Sequence, residues 1–554
     1  MKRRDFVKTV AMSGMAFAAS DAIADLIAQS PSGRVLESKF KGLSDVALME
    51  ARRGGCTYAD IRFTRRTSRG VNASGGNRDA DEAAFGGGGR GGGGRGGGRG
   101  GGGFGGRGGN AGEGAGSNDA AGFGVRVIHS GVWGFASSPI VTEDEIRRIT
   151  RLASEIARAS AIAKKVDVRL APVPAYTEYW ATPMKKDPTA VSQEEKQAFV
   201  QKVVDTAVKN KDVLSVNASV QLEAEWKYFA SSEGSYIEQE IFTTTPSFSV
   251  TARKDGETRS RTYSGQPRTG GWEAAEASGM VENAERIAAE AVELCTAKPV
   301  EMGLKDLVLT PSHAMLTIHE IVAHATELDR IMGYEANYAG TSFVKVSDLG
   351  KLKYGSKLFN VTADRTIPGG VATAGFDDDG VKTQQWPIVR DGILVGLQTN
   401  RESAHFIGEK TSRGCTSANS WRDYPFLRMP NVHVDAGPAG SPTPDEIIAD
   451  TRDGVMIDGR GSYSIDQQRY NGQFGGNAFW EIKNGKKTRM VTNVTYNAIT
   501  TDFWANLDAI SGKDSWEMHG TGGDAKGQPT QTNSISHGSP YLRIRKIMVG
   551  AAYA

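Results

Sequence analysis

The chain has 554 residues, of which 39% are hydrophobic, and a formal net charge of +2 at pH 7. At roughly 100–200 residues per domain, it is long enough for two or three domains with cores of their own. A charge this close to zero gives no overall reason to expect nucleic acid or an anionic membrane as the partner. Cys56, Cys295 and Cys415 are far apart and odd in number, so neither a disulfide framework nor a thiolate metal knuckle is predicted. Any bound metal must be held mainly by histidine and carboxylate side chains.

Residues 1–24 have the order of a signal peptide. A charged segment beginning Lys2-Arg3-Arg4 precedes a short apolar run at residues 10–19 and a small-x-small sequence at residues 22–24. This order predicts a cleaved signal peptide over residues 1–24, and the paired arginines resemble a twin-arginine signal. The apolar run is too short to span a bilayer, and no later segment is apolar enough to do so. We therefore expect a mature chain without a membrane-inserted segment, exported folded, and periplasmic or otherwise outside the cytoplasm.

Residues 25–300 are predicted to form an α+β domain. Thr142 and Ser192 each begin a capping pattern that is followed by apolar residues at helical spacing, and residues 272–295 are rich in Ala and Glu. Residues 213–253 alternate between apolar and polar side chains, which predicts a run of antiparallel strands. The expected architecture is an antiparallel sheet with flanking helices.

A low-complexity tract interrupts this domain at residues 70–116. Its centre, residues 86–109, is almost entirely glycine with interspersed arginines and one aromatic residue, Phe104. Such a segment cannot bury enough apolar surface to offset its ordering entropy, so it is predicted to be a disordered insertion between two strands. Arginine–glycine segments also bind RNA in some proteins, which leaves RNA binding as an alternative function. An exported protein would meet little RNA.

Residues 301–554 are predicted to form a second, mostly β domain. A strand at residues 307–309 leads into a helix at about residues 312–328. Beyond that helix the chain is rich in Gly, Asp and Thr and has short alternating runs, which are typical of strands joined by long loops. The overall fold class is therefore α+β, with the helix as the main helical element of the second domain.

That helix contains the sequence His319-Glu320-Ile321-Val322-Ala323-His324. Imidazole nitrogens are good zinc ligands, and an adjacent glutamate can take a proton from a metal-activated water. Zinc-binding helices usually separate their histidines by four positions; these are five apart, which turns them about 140° from each other on an ideal helix. Both can bind one ion only if the helix carries a π-bulge, a feature common at functional sites, or ends between them. On spacing alone, two unrelated core histidines remain an alternative.

The surrounding residues resemble the TldD/PmbA metallopeptidase family. The resemblance rests on Leu309-Thr310-Pro311 before the HExxxH segment and on Glu327 and Gly340-Thr341-Ser342-Phe343 after it. Further matching segments are Tyr58-Ala59-Asp60, Gly124-Val125-Arg126-Val127, Trp133-Gly134-Phe135-Ala136, Met429-Pro430-Asn431, Asn484-Gly485-Lys486 and Ile547-Met548-Val549-Gly550. In this family the HExxxH segment marks the TldD-type branch, whereas the PmbA (TldE) type lacks it. The resemblance implies zinc ligands at His319 and His324 and a general base at Glu320.

The resemblance also implies a third zinc ligand near the C-terminus, where the family has a cysteine before a glycine. This chain has His519-Gly520 at the corresponding place, so we predict His519 as the third ligand and His537 as the alternative. A carboxylate ligand or an incomplete site stays open as well. Three imidazoles with an open fourth position form a chemically sound zinc site, although iron or manganese could occupy the same set.

These residues together predict a zinc metallopeptidase in which Glu320 is the general base. The resemblance implies that its substrates are unfolded or flexible polypeptides, bound as an added strand in a groove enclosed by dimerisation. The dimer would be either a homodimer or a heterodimer with a PmbA/TldE-like chain, and nucleic acid is not expected as a partner. The alternative function is a non-catalytic, metal-bound subunit that binds peptides or supports assembly.

Overall fold

The computed structural model describes residues 21–30, 33–77 and 118–551. Most of the predicted signal peptide and of the Gly/Arg-rich insertion lies outside these described residues. Within the described part of the chain, no helix is long and apolar enough to cross a membrane. Helices and strands are both abundant, so the predicted α+β fold class is confirmed.

The first half of the chain is built around one eight-stranded sheet. Its strands are β1 (Tyr58–Gly75), β2 (Asn118–His129), β3 (Val132–Ser138), β4 (Thr177–Ala181), β5 (Val213–Ser231), β6 (Tyr236–Lys254), β7 (Glu257–Ser264) and β8 (Arg268–Thr269). They follow the order β3-β2-β1-β5-β6-β4, and β7 and β8 also pair with β6. All pairs are antiparallel except that of β4 with β6, so the predicted antiparallel run at residues 213–253 is present as the β5–β6 hairpin.

The helices around this sheet include α1 (Lys39–Arg53), α2 (Glu143–Ser160), α3 (Gln193–Ala207), α4 (Glu273–Glu276) and α5 (Met280–Thr296), and residues 21–28 are helical as well. The side chains of Thr142 and Ser192 accept hydrogen bonds from the backbone N–H groups at the third positions of α2 and α3, as the capping patterns predict. The helix expected at residues 272–295 is divided in two. Gly279, which precedes α5, has a left-handed φ of 73° that ends the helical path.

Strand β1 continues into the tract that was predicted to be disordered. The insertion was expected to begin at Gly70, but the strand extends to Gly75 and pairs with β5 along that length. Val71 and Ala73 are buried in the core beneath α3, which explains why this segment is ordered although it looks polar and glycine-rich. Two buried apolar side chains at alternate positions help to keep this segment ordered as a strand, since it also pairs with the long strand β5.

The second half is mostly β, as predicted. Its strands are β9 (Lys298–Pro299), β10 (Gly303–Leu309), β11 (Val361–Asp364), β12 (Gln385–Arg390), β13 (Ile393–Leu394), β14 (Thr416–Ser417), β15 (Phe426–Leu427), β16 (Asn431–Val434), β17 (Asp453–Asp458), β18 (Tyr463–Ile465), β19 (Asn471–Phe474), β20 (Ala478–Lys483), β21 (Lys486–Thr492), β22 (Val494–Ile499), β23 (Leu507–Ile510), β24 (Glu517–Lys526), β25 (Gln531–Ser539) and β26 (Leu542–Ala551). A ten-stranded sheet runs β18-β19-β22-β26-β10-β17-β20-β21-β9, with β23 paired to β26. A four-stranded sheet, β13-β12-β11-β16, and the hairpins β14-β15 and β24-β25 complete it.

The helices of this half are short: α6 (Pro311–Ile318), α7 (Leu328–Ile331), α8 (Pro444–Ala449) and α9 (Thr500–Ala505). Helix α6 directly follows the central strand β10, with Pro311 in its first turn, where a missing N–H costs nothing. Its residues and those after it are buried in the largest apolar core of the chain, against strands of the ten-stranded sheet. The segment after α6 is therefore held rigidly, and this is the segment that carries His319, Glu320 and His324.

Buried ion pairs join the two halves. Arg62 on β1 lies 3.1 Å from Asp378, and Arg126 on β2 lies 2.7 Å from Asp60 and 2.8 Å from Asp379. All five side chains are almost fully buried. Removing one partner of such a pair typically costs about 3–5 kcal/mol, because the other charge is left without compensation. These contacts fix the first half against the loop that follows β11.

His313 on α6 has a structural role that makes stability depend on pH. Its Nδ1 lies 2.9 Å from the Gly459 carbonyl oxygen and its Nε2 lies 2.8 Å from the Tyr496 hydroxyl. Burial lowers the pKa of His313 to about 4, although Gly459 and Asp458 oppose the shift. Between pH 6.5, the ordinary pKa of histidine, and pH 4, His313 therefore binds a proton in the unfolded chain but not in the folded chain. Stability contributed by this residue is fully present above pH 6.5 and is lost as the pH falls towards 4.

We expect the free energy of unfolding to fall by about 3 kcal/mol more in the wild type than in a His313→Gln variant between pH 7 and pH 4. Glutamine can replace one of the two hydrogen bonds but does not titrate. Urea unfolding at the two pH values measures the difference. Equal losses in the two proteins would show that His313 does not titrate as its burial requires.

Candidate metal centre

The HExxxH segment does not continue α6 as an α-helix but forms one π-helical turn, His319–Ala323, followed by a 3-10 turn, His324–Thr326. The backbone N–H of His324 donates to the carbonyl of His319, a bond between residues five apart. A π turn places residues five apart one above the other. The two imidazole rings accordingly lie with their centroids 4.5 Å apart. The structure thus meets the condition under which both histidines can reach one ion.

Side chains from neighbouring elements satisfy carbonyl groups of this irregular segment. The Tyr354 hydroxyl donates to the Ile321 carbonyl at 2.6 Å, and the Gln398 amide donates to the Ala323 carbonyl at 2.5 Å. Ser342, within the Gly-Thr-Ser segment, donates to the Ala325 carbonyl at 2.7 Å. A buried backbone carbonyl without a partner is costly, so these three donors help stabilise the π turn.

Asp524 on β24 completes a buried group with the two histidines. One ligand atom from each of His319, His324 and Asp524 lies within 4.8 Å of the others. The Asp524 Oδ1 is 3.4 Å from the Nε2 of His319 and 3.4 Å from the Nε2 of His324. Burial raises the pKa of Asp524, but Arg428 and His324 outweigh it and hold that pKa well below its usual range. The carboxylate is therefore ionised, as a metal ligand must be.

Arg428 leaves one oxygen of Asp524 free for the histidines. Its Nη2 donates to the Asp524 Oδ2 at 2.8 Å and to the Asp524 backbone oxygen at 2.6 Å. The other carboxylate oxygen, Oδ1, faces both imidazoles. Two imidazole nitrogens and one carboxylate oxygen are a known donor set of catalytic zinc sites, which keep a further position open for water. The residues present therefore fit the metal that the resemblance implies.

The predicted third ligand, His519, is not part of this group. It lies on β24, where its Nε2 is 3.0 Å from the Glu517 carboxylate, and its Nδ1 is buried without a hydrogen-bond partner. The pairing of β24 with β25 slips by one residue between Thr521 and Asp524. Strand side chains alternate, so without the extra residue Asp524 would point to the face opposite His519. The bulge reverses the alternation and allows Asp524 to reach the histidine pair.

His537, the alternative third ligand, contacts His319 from the other side. Its Nε2 lies 2.9 Å from the His319 Nδ1, and its Nδ1 lies 2.9 Å from the Val432 carbonyl oxygen. A carbonyl only accepts, so the His537 Nδ1 carries the proton and its Nε2 accepts from His319. Burial, followed by the nearby His319, holds the pKa of His537 well below its usual range, so its ring is neutral. The contact with His537 engages the His319 Nδ1 and directs the His319 Nε2 towards Asp524, the orientation that metal binding requires.

A buried ion network orients His324 in the same way. The His324 Nδ1 lies 2.9 Å from the Glu327 Oε2, and Lys526 lies 2.9 Å from both Glu327 and Asp329. Burial raises the pKa of Glu327, but Lys526 and Arg330 outweigh it and keep that pKa well below its usual range. The Glu327 carboxylate accepts a hydrogen bond from the His324 Nδ1 and so directs the His324 Nε2 towards Asp524, the orientation that a ligand needs. Asp524 and Lys526 are two residues apart on β24, so one strand carries a candidate ligand and also a residue that supports another, His324.

Glu320, the predicted base, is buried beside the histidine pair. Only 3% of its surface is exposed, and its Oε2 lies 3.4 Å from the Nη1 of Arg469. The negative charge of Glu320 also contributes to raising the pKa of Tyr463, after the larger effect of burial. The carboxylate is thus adjacent in sequence to the candidate ligand His319 and close enough to Tyr463 to affect its pKa.

A cavity of about 1160 Å³ lies between the two halves of the chain. Its walls include Tyr263 from the first half and Tyr463, Glu517, His519 and Thr521 from the second. Strand β24 connects the cavity to the histidine group, because it carries Glu517, His519 and Thr521 in the cavity wall and Asp524 in the group. Sequence reasoning found no signal for this cavity, because it is formed by segments far apart in the chain.

Models of three domains of one protein family match the chain. The first domain of the PmbA/TldA metallopeptidases matches residues 113–162, the central domain matches residues 186–297, and the C-terminal domain matches residues 303–551. The last of these contains the π turn and Asp524.

Individual proteins are similar over comparable lengths. A metalloprotease of Methanocaldococcus jannaschii is 28% identical over 71% of this chain and 84% of its own length. A Saccharolobus solfataricus protein named zinc metalloprotease TldD homolog is 22% identical over 45% of this chain and 52% of its own length. The crystal structure of TldE from Thermococcus kodakarensis has the same fold, with a TM-score of 0.65 at 15% identity over 91% of this chain and all of that one. With the family models covering its first, central and last parts, the chain belongs to the PmbA/TldD metallopeptidase family.

Proposed function

We propose that this protein is a zinc metallopeptidase of the TldD-like, HExxxH-bearing branch and that it hydrolyses peptide bonds in unfolded or flexible polypeptides. The observation that carries the proposal is the buried convergence of His319, His324 and Asp524 beside Glu320. The similarity to a protein named zinc metalloprotease supports zinc as the ion. Two imidazoles and a carboxylate also suit iron, so the identity of the metal is part of the test.

The protein's own residues would perform the reaction as follows. His319, His324 and Asp524 would hold the ion, which when bound supplies a Lewis acid for the scissile carbonyl and lowers the pKa of water. Glu320 takes a proton from the water as the water oxygen attacks the carbonyl carbon of the peptide bond. It then gives that proton to the amine nitrogen as the carbon–nitrogen bond breaks. The buried walls around Glu320 exclude other water, which strengthens these electrostatic interactions.

The cavity between the halves is the proposed substrate site. Within the described ranges, β24 pairs only with β25, and four β24 residues line the cavity: Glu517, His519, Gly520 and Thr521. A peptide that adds to β24 as a strand would be held mainly through its backbone, which accepts many sequences but requires an extended chain. We propose that this is why the substrates are unfolded or flexible.

We also propose a partner chain and a cellular location for this protein. The fold similarity to TldE supports a partnership with a PmbA/TldE-like chain, and a homodimer is the other arrangement proposed. The N-terminal charge pattern, with paired arginines at Arg3 and Arg4, supports export through the twin-arginine pathway to the periplasm.

Cleavage of an unfolded protein by the purified chain, alone and with a PmbA/TldE-like partner, tests the function. We expect cleavage that a chelator abolishes and stoichiometric zinc restores, since the ion would be held only by folded-state ligands. Iron that restores activity where zinc does not would correct the metal. A chain that binds zinc and peptide under both conditions without cleaving would instead establish a non-catalytic peptide-binding subunit.

A further inference from the structure

Arg469 stands out among the arginines because its charge is buried and weakly paired. Its side chain is 13% exposed, its Nε is buried without a hydrogen-bond partner, and its one ion pair among the described residues is the 3.4 Å contact with Glu320. Burial lowers the pKa of Arg469, since the attraction of Glu320 does not compensate for the lost hydration. A guanidinium stays charged even so. A buried cation with so little compensation is costly, which calls for a reason to keep it there.

The backbone of Arg469 is held in an uncommon conformation. Its φ is 62°, in the left-handed region, which is uncommon for a residue with a long side chain. Such a conformation persists only where the surrounding structure enforces it, and it concentrates at functional sites. Its place in the turn between β18 and β19 fixes the direction in which the side chain leaves the backbone.

Several hydrogen bonds enforce this turn. The Asp466 carboxylate accepts the backbone N–H groups of Gln468, Tyr470 and Asn471. Thr500 donates its hydroxyl to the Arg469 carbonyl at 2.8 Å. The backbone N–H groups of Thr341 and Phe343 donate to the carbonyls of Gln467 and Gln468 at 2.7 Å each.

Residues 340–343, the Gly-Thr-Ser-Phe segment, therefore support two parts of the site. It holds the Arg469 turn through Thr341 and Phe343, and it holds the end of the π-helical segment through the bond from Ser342 to the Ala325 carbonyl. Arg469 and Glu320 are thus fixed relative to each other by a common support. A group held so firmly is preorganised for one position of a reacting molecule.

From this geometry we propose that Arg469 is a further catalytic residue, which stabilises the negative charge that develops on the carbonyl oxygen of the substrate. The inference rests on the proposed function, because it requires a peptide carbonyl beside Glu320.

The chemistry of Glu320 explains why the interaction would be stronger in the transition state than before it. In the resting protein the Arg469 guanidinium lies 3.4 Å from the Glu320 carboxylate. When the attacking water gives its proton to Glu320, that carboxylate becomes neutral and ceases to attract the guanidinium. In the same step the water oxygen bonds to the carbonyl carbon. The π electron pair of the carbonyl moves to the carbonyl oxygen, which becomes negatively charged. Arg469 loses one anionic partner as the other appears, so its attraction is directed to the transition state.

The test compares Arg469→Ala and Arg469→Lys with the wild type in kcat, KM and bound zinc. Loss of one donor to a developing oxyanion typically lowers kcat about 10²–10³-fold. We expect that loss in Arg469→Ala, with KM changed less than about threefold and zinc stoichiometry unchanged. Lysine keeps the charge, so Arg469→Lys should recover at least about tenfold of the lost kcat. Arg489→Ala, which removes an exposed arginine paired with Glu481 on β20, is the matched control and should behave as the wild type.

Several outcomes would overturn the inference. An unchanged kcat in Arg469→Ala, while Glu320→Gln is inactive, would leave the peptidase in place and remove Arg469 from catalysis. A loss confined to KM would assign Arg469 to substrate binding instead. Loss of zinc or of the folded circular dichroism spectrum in both variants would show a structural role. Absence of cleavage by the wild type, with and without a partner chain, would overturn the proposed function and this inference together.

Discussion

Replacing Glu320 by Gln is expected to lower kcat for peptide cleavage by about 10²–10⁴-fold while leaving the bound metal in place. The amide has nearly the same shape as the carboxylate but cannot take a proton from water. Glu320 is not one of the three grouped ligand residues, so zinc affinity should change little. Steady-state kinetics on an unfolded protein, together with metal analysis of the same sample, measure both quantities.

The control for this prediction is Glu481→Gln on β20, the same chemical change outside the metal centre. It should retain wild-type kcat. An active Glu320→Gln variant would contradict the role of Glu320 as general base and would favour a binding function. Loss of zinc in that variant would show instead that Glu320 contributes to holding the ion.

The second large effect concerns the identity of the third ligand. Asp524→Ala is expected to weaken zinc binding by more than about 100-fold. Losing a residue that only hydrogen-bonds to a ligand lowers metal affinity by up to about 100-fold, and removing a direct ligand should cost more. His519→Ala should leave zinc stoichiometry unchanged, since the His519 imidazole pairs with Glu517 and lies outside the ligand group. Titration with a competing chelator measures both affinities.

The two variants form a matched pair because both residues lie on β24, and both are buried. The reverse result, in which His519→Ala loses zinc and Asp524→Ala keeps it, would show that His519 is the third ligand, as the sequence predicts. It would also mean that the bulge in β24 lies at another position. An intermediate affinity in Asp524→Asn, which keeps an oxygen but loses the charge, would further support a direct bond from Asp524.

Sequence reasoning came close to the geometry of the HExxxH segment. The five-residue spacing allowed one metal site only if the helix contained a π turn or ended between the histidines. The structure meets the first condition, since a π turn runs from His319 to Ala323, and the helical path ends only at Glu327, after both histidines. What the sequence could not provide is the set of distant donors, such as Tyr354 and Gln398, that supports this turn.

Strand alternation alone does not predict Asp524, because one extra residue changes which face of the strand a side chain occupies. Gly522 and Gly523 precede it, and glycines inside a strand often mark a bulge. Read as a bulge, they would have made Asp524 a candidate alongside His519, and a carboxylate ligand was among the alternatives that the sequence left open.

The fold was more predictable than the site. Helix caps at Thr142 and Ser192 and the alternation at residues 213–253 are local signals, and they led to the correct α+β class. The orienting contacts from His537, Lys526 and Arg428 are long-range, and their partners lie about 100–200 residues away in the chain. No spacing rule connects such residues, so only the folded arrangement shows that they act on the same three ligands.

The most direct test of the metal centre is an anomalous scattering map recorded at the zinc absorption edge from crystals of the protein with zinc bound. The account predicts one strong peak at bonding distance, about 2.0–2.2 Å, from the Nε2 atoms of His319 and His324 and from the Oδ1 of Asp524. A peak bonded to His519 or His537 in place of Asp524, or no ordered peak beside Glu320, would contradict it.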